Sequence, residues 1–150
     1  MKKRTIQISL PSTGEEEWQA TKESFETGWL TQGPKVAAFE TAFAKRHESK
    51  CALATTSCTT ALHLILEGLG IGPGDEVIVP SATFATVSSI LYQLGLVPVY
   101  IDSEMDTWNM DPVALGDAIS DKTKAIMVVH NLGIPAKMDE IMDIADSNDL

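Results

Sequence analysis

Cysteine is scarce in this 150-residue chain, which has only Cys51 and Cys58. If Cys51 to Thr56 is extended, the two lie about 23 Å apart along the chain. A disulfide tolerates a Cα separation of at most ~7 Å, so a bridge between them is excluded and a reducing compartment fits. There is no Cys-x-x-Cys spacing for zinc. Cys58-x4-His63 reads as a small buried thiol and a helix-face histidine, and no metal site is expected. Long apolar runs are also missing: none approaches the ~18 residues of a membrane-spanning helix. Met1-Lys-Lys-Arg4 is basic but is not followed by the apolar segment of a secretory signal, so the expected location is cytoplasmic, with no membrane partner. Basic residues thin out along the chain. Residues 76–150 hold three Lys/Arg against twelve Asp/Glu, and the net charge is −10. Nucleic-acid partners need clustered cations and are not expected. An anionic ligand would have to be held by backbone donors or by groups this chain lacks. Neither Gly-x-Gly-x-x-Gly nor a Walker lysine motif is present.

What is there describes a globular protein. The chain is 44% apolar and 21% charged, which excludes a disordered or collagen-like polypeptide. The length suits one domain or part of a larger one. Glu15-Glu-Glu17 opens a helix at the positive end of its dipole, Trp18, Thr21, Lys22 and Phe25 follow at helical spacing, and Gly28 stops it. Trp29 to Pro34 reads as a loop, and Lys35 to Arg46 as a second helix with Val36, Phe39 and Phe43 on one stripe.

From there strands and helices alternate. The expected strands are Cys51–Thr56, Glu76–Val79, Val97–Ile101 and Ala125–Val129, with Pro98 pointing to an edge position or a strand start. The expected helices are Thr59–Leu69 (Leu62, Ile65, Leu66 and Leu69 inward), Ser81–Leu94 (capped by Ser81 and Gly95), Asp111-Pro112 to about Ile119, and Met138–Ala145. Four almost wholly apolar strands alternating with helices predict an α/β fold with a parallel sheet covered on both faces. Ligands of such sheets sit beyond the carboxyl ends of the strands. That edge is occupied here by Thr56–Thr60, Pro80–Phe84, Asp102–Met105 and His130–Pro135.

Two of these segments carry chemistry. Thr55-Thr-Ser-Cys-Thr-Thr60 leads into a helix, where free N–H groups, the dipole and several hydroxyls make a phosphate cradle; Ser57 as an ordinary helix cap accounts for the same residues. Phe84 follows a strand end, where it either stacks on a flat ligand or packs into the core as part of its helix.

Taken together, Gly28-Trp-Leu-Thr-Gln-Gly-Pro34, Thr56-Ser-Cys-Thr-Thr-Ala-Leu62, Gly70-Ile-Gly-Pro-Gly-Asp-Glu-Val-Ile-Val-Pro80, Ala82-Thr-Phe-Ala-Thr86, Asp106-Thr-Trp-Asn-Met-Asp-Pro112, Thr123-Lys-Ala-Ile126 and Val129-His130 resemble the DegT/DnrJ/StrS family. These are sugar aminotransferases of the aspartate-aminotransferase fold type that depend on pyridoxal 5'-phosphate. The resemblance runs from about Ile8 to Asp149. It implies a three-layer α/β fold with a mostly parallel sheet, of which four strands are present, and a division into residues 1–34 (helix and substrate-side loop) and 35–150 (the first part of the cofactor-binding large domain). It implies that Ser57, Cys58, Thr59 and Thr60 bind the cofactor phosphate, that Phe84 stacks on its ring, and that Trp29, Leu30 and Thr31 lie on the substrate side. The implied partners are a nucleotide-linked keto sugar, an amino-acid donor (typically glutamate) and a second copy in a homodimer. The implied setting is polysaccharide or O-antigen biosynthesis.

Asn131-Leu-Gly-Ile134 departs from the family's Leu-Tyr-Gly-Gln, and His130 is expected to be a satisfied strand-end histidine without a catalytic part. Family members run to more than twice this length. No lysine here matches the one expected to form the Schiff base, and the aspartate expected to pair with the pyridinium nitrogen is absent as well. The chain therefore reads as the N-terminal portion of a longer enzyme, carries no catalytic residue and is expected to be inactive alone. Three other readings remain: a dehydratase of the same family, a non-catalytic module that binds a phosphate ligand, and an assembly role for the helices around Trp18 and Phe39.

Overall fold

The computed structural model describes residues 9–150; the basic Met1–Arg4 segment and residues 5–8 lie outside the described residues. The chain forms two compact units that divide after Ala54.

The first unit holds helices α1 (Glu15–Thr27) and α2 (Pro34–Arg46). Gly14 donates its N–H to Glu17 Oε2 at 2.7 Å, so α1 starts with its acidic residues on the positive end of the dipole. It ends at Gly28, whose φ of 74° is the left-handed cap conformation that glycine adopts without a side-chain penalty. Lys35 and Glu23 form an ion pair between the two helices. Phe39 and Phe43 stack along α2 with ring centroids 5.7 Å apart. Neither helix has a buried residue.

The expected strand from Cys51 to Thr56 does not form. Its backbone groups bond to side chains instead of a ladder: Ala54 N–H donates to Glu40 Oε1 at 2.8 Å, and Cys51 C=O accepts from Ser49 Oγ at 3.1 Å. Among the described residues three strands are therefore present rather than the expected four. Cys51 at its start and Cys58 two residues beyond it are free and exposed, so Cys58 is not the buried thiol expected.

The second unit begins with α3 (Cys58–Gly68) and then alternates: β1 (Glu76–Pro80), α4 (Thr86–Gln93), β2 (Val97–Ile101), α5 (Pro112–Ala118), β3 (Thr123–Ile126), a 3-10 turn at Asn131–Gly133, and α6 (Met138–Ser147). All three strands are parallel, in the order β2-β1-β3. The centre strand is Val77-Ile-Val79, all fully buried, as expected of a strand covered on both faces. Alternation sends Val77 and Val79 to one side, where they pack with Leu66, Val87, Ile90, Leu91 and Leu96 of the α3/α4 layer. Ile78 points to the other side, toward Met110, Leu115, Ala136 and Ile141 of the α5/α6 layer. The three layers follow from this one period-two segment. Pro98 stands in the edge strand β2, opposite Val77, where its missing N–H costs the ladder least.

Several boundaries differ from the sequence reading. Helix α4 starts at Thr86 rather than Ser81, because Ser81 N–H continues the sheet pairing by donating to Ile101 C=O at 2.9 Å. Strand β3 starts at Thr123 and ends at Ile126, with a register irregularity between its Glu76 and Val77 partners. On α3, Leu66 is buried and Leu62 packs against the core, but Ile65 and Leu69 are exposed. Asp111 caps α5 as expected, accepting from Val113 N–H at 2.9 Å.

Candidate functional site

Beyond the carboxyl ends of β1 and β3, the second unit bears a half-open cavity of about 560 Å³. Its walls come from three places: the mouth of α3 (Ser57, Cys58, Thr59, Leu62), the segment after β1 (Thr83, Phe84, Thr86, Val87) and the segment after β3 (Met127 to His130). The volume lies in the range of small-molecule sites, and the mixture of apolar walls with a few polar groups is typical of them.

The polar end is the start of α3. Ser57 is the N-cap, and its Oγ accepts from Thr60 N–H at 3.2 Å. That bond uses the third N–H of the helix and leaves those of Cys58 and Thr59 outside the intrahelical pattern, at the positive end of the dipole. Hydroxyls crowd the same turn. Thr56 and Thr60 Oγ1 lie 3.2 Å apart, and Ser57 Oγ lies 2.9 Å from Thr60 Oγ1. Thr59 Oγ1 donates to Thr86 Oγ1 at 3.4 Å, tying the mouth of α3 to the start of α4. Ser57 is thus a cap, and its capping leaves two free donors beside the cavity.

The opposite wall bears Phe84. It is 79% exposed, which removes it from the core and leaves its ring free at the cavity. Beside it, Thr83 lines the cavity with its Oγ1 buried and without a hydrogen-bond partner. Among the described residues no lysine, arginine or carboxylate lines the cavity. Any anion bound there is held by neutral donors and the helix dipole.

Four of the predicted residues therefore meet around one space: Ser57, Cys58, Thr59 and Phe84. Thr60 does not line it and serves the cap. Trp29, Leu30 and Thr31 belong to the first unit, where they form an exposed loop between α1 and α2. Gly33 closes that loop against the Trp29 indole, where a Cβ would come within 2.6 Å of the ring. Lys122 and Lys124 lie at the amino end of β3, away from the cavity.

Sequence reasoning missed Asn109, one of the two buried polar residues among those described. Its Nδ2 donates to Ile134 C=O at 3.0 Å and its Oδ1 accepts from Asn131 N–H at 2.8 Å. Asn131 Nδ2 in turn reaches Ala82 C=O at 3.4 Å and Trp108 C=O at 3.3 Å. Three loops at the carboxyl edge are joined by these two amides. Nearby, Glu104 pairs with Lys137 and accepts from Thr107 Oγ1 at 2.8 Å. The Lys137 bond, with Thr107 second, lowers the Glu104 pKa below the usual carboxylate value, and the same pairing raises that of Lys137. His130 lines the cavity, and its Nδ1 accepts from Ala136 N–H at 3.1 Å. The sequence signal for Asn109 was an uncharged polar residue between Trp108 and Met110 in an otherwise acidic loop, which is too weak to single it out.

Comparison with known proteins gives a consistent result. Residues 11–150 match the DegT/DnrJ/EryC1/StrS aminotransferase family. The chain is 44% identical over 145 residues to the spore coat polysaccharide biosynthesis protein SpsC of Bacillus subtilis, covering 97% of this chain and 37% of that protein. Among solved structures, it is similar to the aminotransferase from Psychrobacter cryohalolentis (38% identity, TM-score 0.85, 93% of this chain and 36% of that one). It is also similar to the GDP-4-keto-6-deoxy-D-mannose-3-dehydratase of E. coli with bound hydrated PLP (33% identity, TM-score 0.88, 95% and 38%). The chain spans a little over a third of the length of each of these relatives.

Proposed function

The chain belongs to the DegT/DnrJ/EryC1/StrS aminotransferase family, and from that premise we propose that it supplies the phosphate- and ring-binding part of a pyridoxal 5'-phosphate enzyme that aminates a keto sugar linked to a nucleotide, with glutamate as donor. The observation that carries this is the cavity itself, which is lined both by Cys58 and Thr59 at the start of α3 and by the exposed Phe84.

The donor set fits this coenzyme. A phosphate is matched by the Cys58 and Thr59 N–H groups, the hydroxyls of the same turn and the helix dipole. A flat heteroaromatic ring is matched by Phe84 at the other end, with Leu62, Val87 and Val129 excluding water between them. The buried, unpartnered Thr83 Oγ1 beside the ring position is a polar group left to the ligand. When bound, the coenzyme supplies an electron sink for the carbon that gains or loses the amino group. In this reading the residues of the chain bind and orient it: Ser57 and Thr60 keep the turn open by capping the helix, Thr59 and Thr86 brace the two helix starts, and Phe84 fixes the ring plane. Trp29, Leu30 and Thr31 form the substrate side, and a second copy completes the site in a homodimer. Among the described residues no lysine lines the cavity, and this reading expects no transamination from the 150-residue chain taken alone. Among the described residues no helix is long and apolar enough to cross a membrane, in keeping with a cytoplasmic enzyme.

A sugar dehydratase is the second reading, supported by the similarity to the E. coli dehydratase. One experiment separates the two. The complete native protein is incubated with the coenzyme, glutamate and a panel of nucleotide-linked keto sugars. Release of 2-oxoglutarate together with an amino sugar supports transamination. Loss of water from the sugar without net amino transfer supports the dehydratase, and neither product overturns both.

A further inference from the structure

We propose that His130 is a ligand-binding residue of this cavity, presenting its Nε2–H to an acceptor oxygen of the bound molecule while Nδ1 is reserved for the loop. The inference rests on the coenzyme reading above and adds a residue that the family motif did not assign.

Twelve of the described residues line the cavity, and among their side chains only His130 offers a nitrogen. Its two ring nitrogens are not equivalent. Ala136, 6% exposed, donates its N–H to Nδ1 at 3.1 Å. A buried N–H requires an acceptor, so Nδ1 is committed as one, and the proton of the neutral ring resides on Nε2. His130 is an exposed residue that lines the cavity, and among the described residues no group accepts from its Nε2.

The ring is also held in place. The turn that follows it is closed by Gly133 N–H to His130 C=O at 3.2 Å and by Ile134 N–H to Asn131 C=O at 3.0 Å. Asn109, 1% exposed, grips that turn from both sides through Asn131 and Ile134. A histidine kept only for structure needs one nitrogen. Here the second belongs to a ring held through its Nδ1, in a lining whose other described side chains carry no nitrogen, and the arrangement is one in which a donor is preorganised before the ligand arrives.

Two substitutions in the complete native protein separate the nitrogens. His130→Asn keeps an oxygen near the position of Nδ1, and His130→Gln keeps an N–H donor near that of Nε2. The readouts are binding of pyridoxal 5'-phosphate by absorbance titration, and the thermal midpoint. The expected result is that His130→Asn keeps the native midpoint but binds the coenzyme about tenfold more weakly, the size of one lost hydrogen bond to a charged acceptor. His130→Gln should melt lower while keeping its affinity within about twofold of native. Native binding by His130→Asn overturns the inference and leaves the coenzyme reading intact, as does a loss of affinity that follows the midpoint in both variants. A native protein that fails to bind the coenzyme overturns the coenzyme reading and this inference with it.

Discussion

Asn109 Oδ1 accepts the Asn131 N–H at 2.8 Å across 22 positions of sequence, and both residues stand in loops beyond the carboxyl ends of the strands. The same amide donates to Ile134 C=O at 3.0 Å. The loops that carry Phe84 and His130 are thus joined through side-chain amides rather than through the sheet.

Replacing Asn109 by alanine takes the side-chain partner from the Ile134 C=O and the Asn131 N–H, both bonds being partly buried. A lost hydrogen bond of this kind costs about 0.5–1.5 kcal/mol, so the variant should lose roughly 1–3 kcal/mol of stability. Urea unfolding measures this, and amide exchange should report the loss of protection at Asn131. An unchanged urea midpoint would show that water replaces the amide without cost.

The Glu104–Lys137 pair makes stability depend on pH in a definite direction. The Glu104 pKa is lowered by Lys137 and then by Thr107, so the pair's contribution is fully present above the unfolded carboxylate value, and it is lost as pH falls through the lower folded one. Lys137 is raised, so its share persists below the unfolded amine value and disappears as pH rises through the folded one. Glu104→Gln should therefore differ from native by a constant amount at neutral pH, with the difference shrinking in acid. Parallel urea midpoints from pH 3 to 7 test this; a difference that grows on acidification contradicts it.

Ile78 is the fully buried residue that β1 turns toward α5 and α6. Ile78→Ala should cost about 2–5 kcal/mol, the usual range for removing a buried isoleucine side chain beyond its β-carbon. A loss below 1 kcal/mol would mean that this face is not a packed core.

Much of this architecture was legible in the sequence, and what was not has local causes. The strands around Val77, Val99 and Ile126 were found because apolar residues with glycine and proline punctuation can satisfy a sheet and little else. Cys51–Thr56 carries the same signal, but Ser49 bonds its first carbonyl and Glu40, fourteen positions away, claims the Ala54 N–H. The start of α4 was placed five residues early because Ser81 looks like a cap, whereas its N–H continues the sheet. At the site, Ser57, Cys58, Thr59 and Phe84 were legible because a hydroxyl-rich turn before a helix and an aromatic after a strand each have a chemical reason to be there. The Asn109 side chain bonds residues more than twenty positions away, and within the Asp106–Pro112 motif nothing local set it apart.

Phe84 separates binding from folding. Its ring is 79% exposed, so Phe84→Ala should leave stability within about 0.5 kcal/mol of native. Loss of the stacking surface should weaken retention of pyridoxal 5'-phosphate by roughly fivefold to tenfold. Dialysis against buffer followed by absorbance of the retained coenzyme gives the second number. A destabilised variant with unchanged retention would make Phe84 a packing residue.

The account is tested most directly by a crystal structure of the complete native protein grown with pyridoxal 5'-phosphate. We predict density for the phosphate on the N–H groups of Cys58 and Thr59 and for the ring against Phe84. Coenzyme bound elsewhere on the protein, with this cavity empty, would contradict the account.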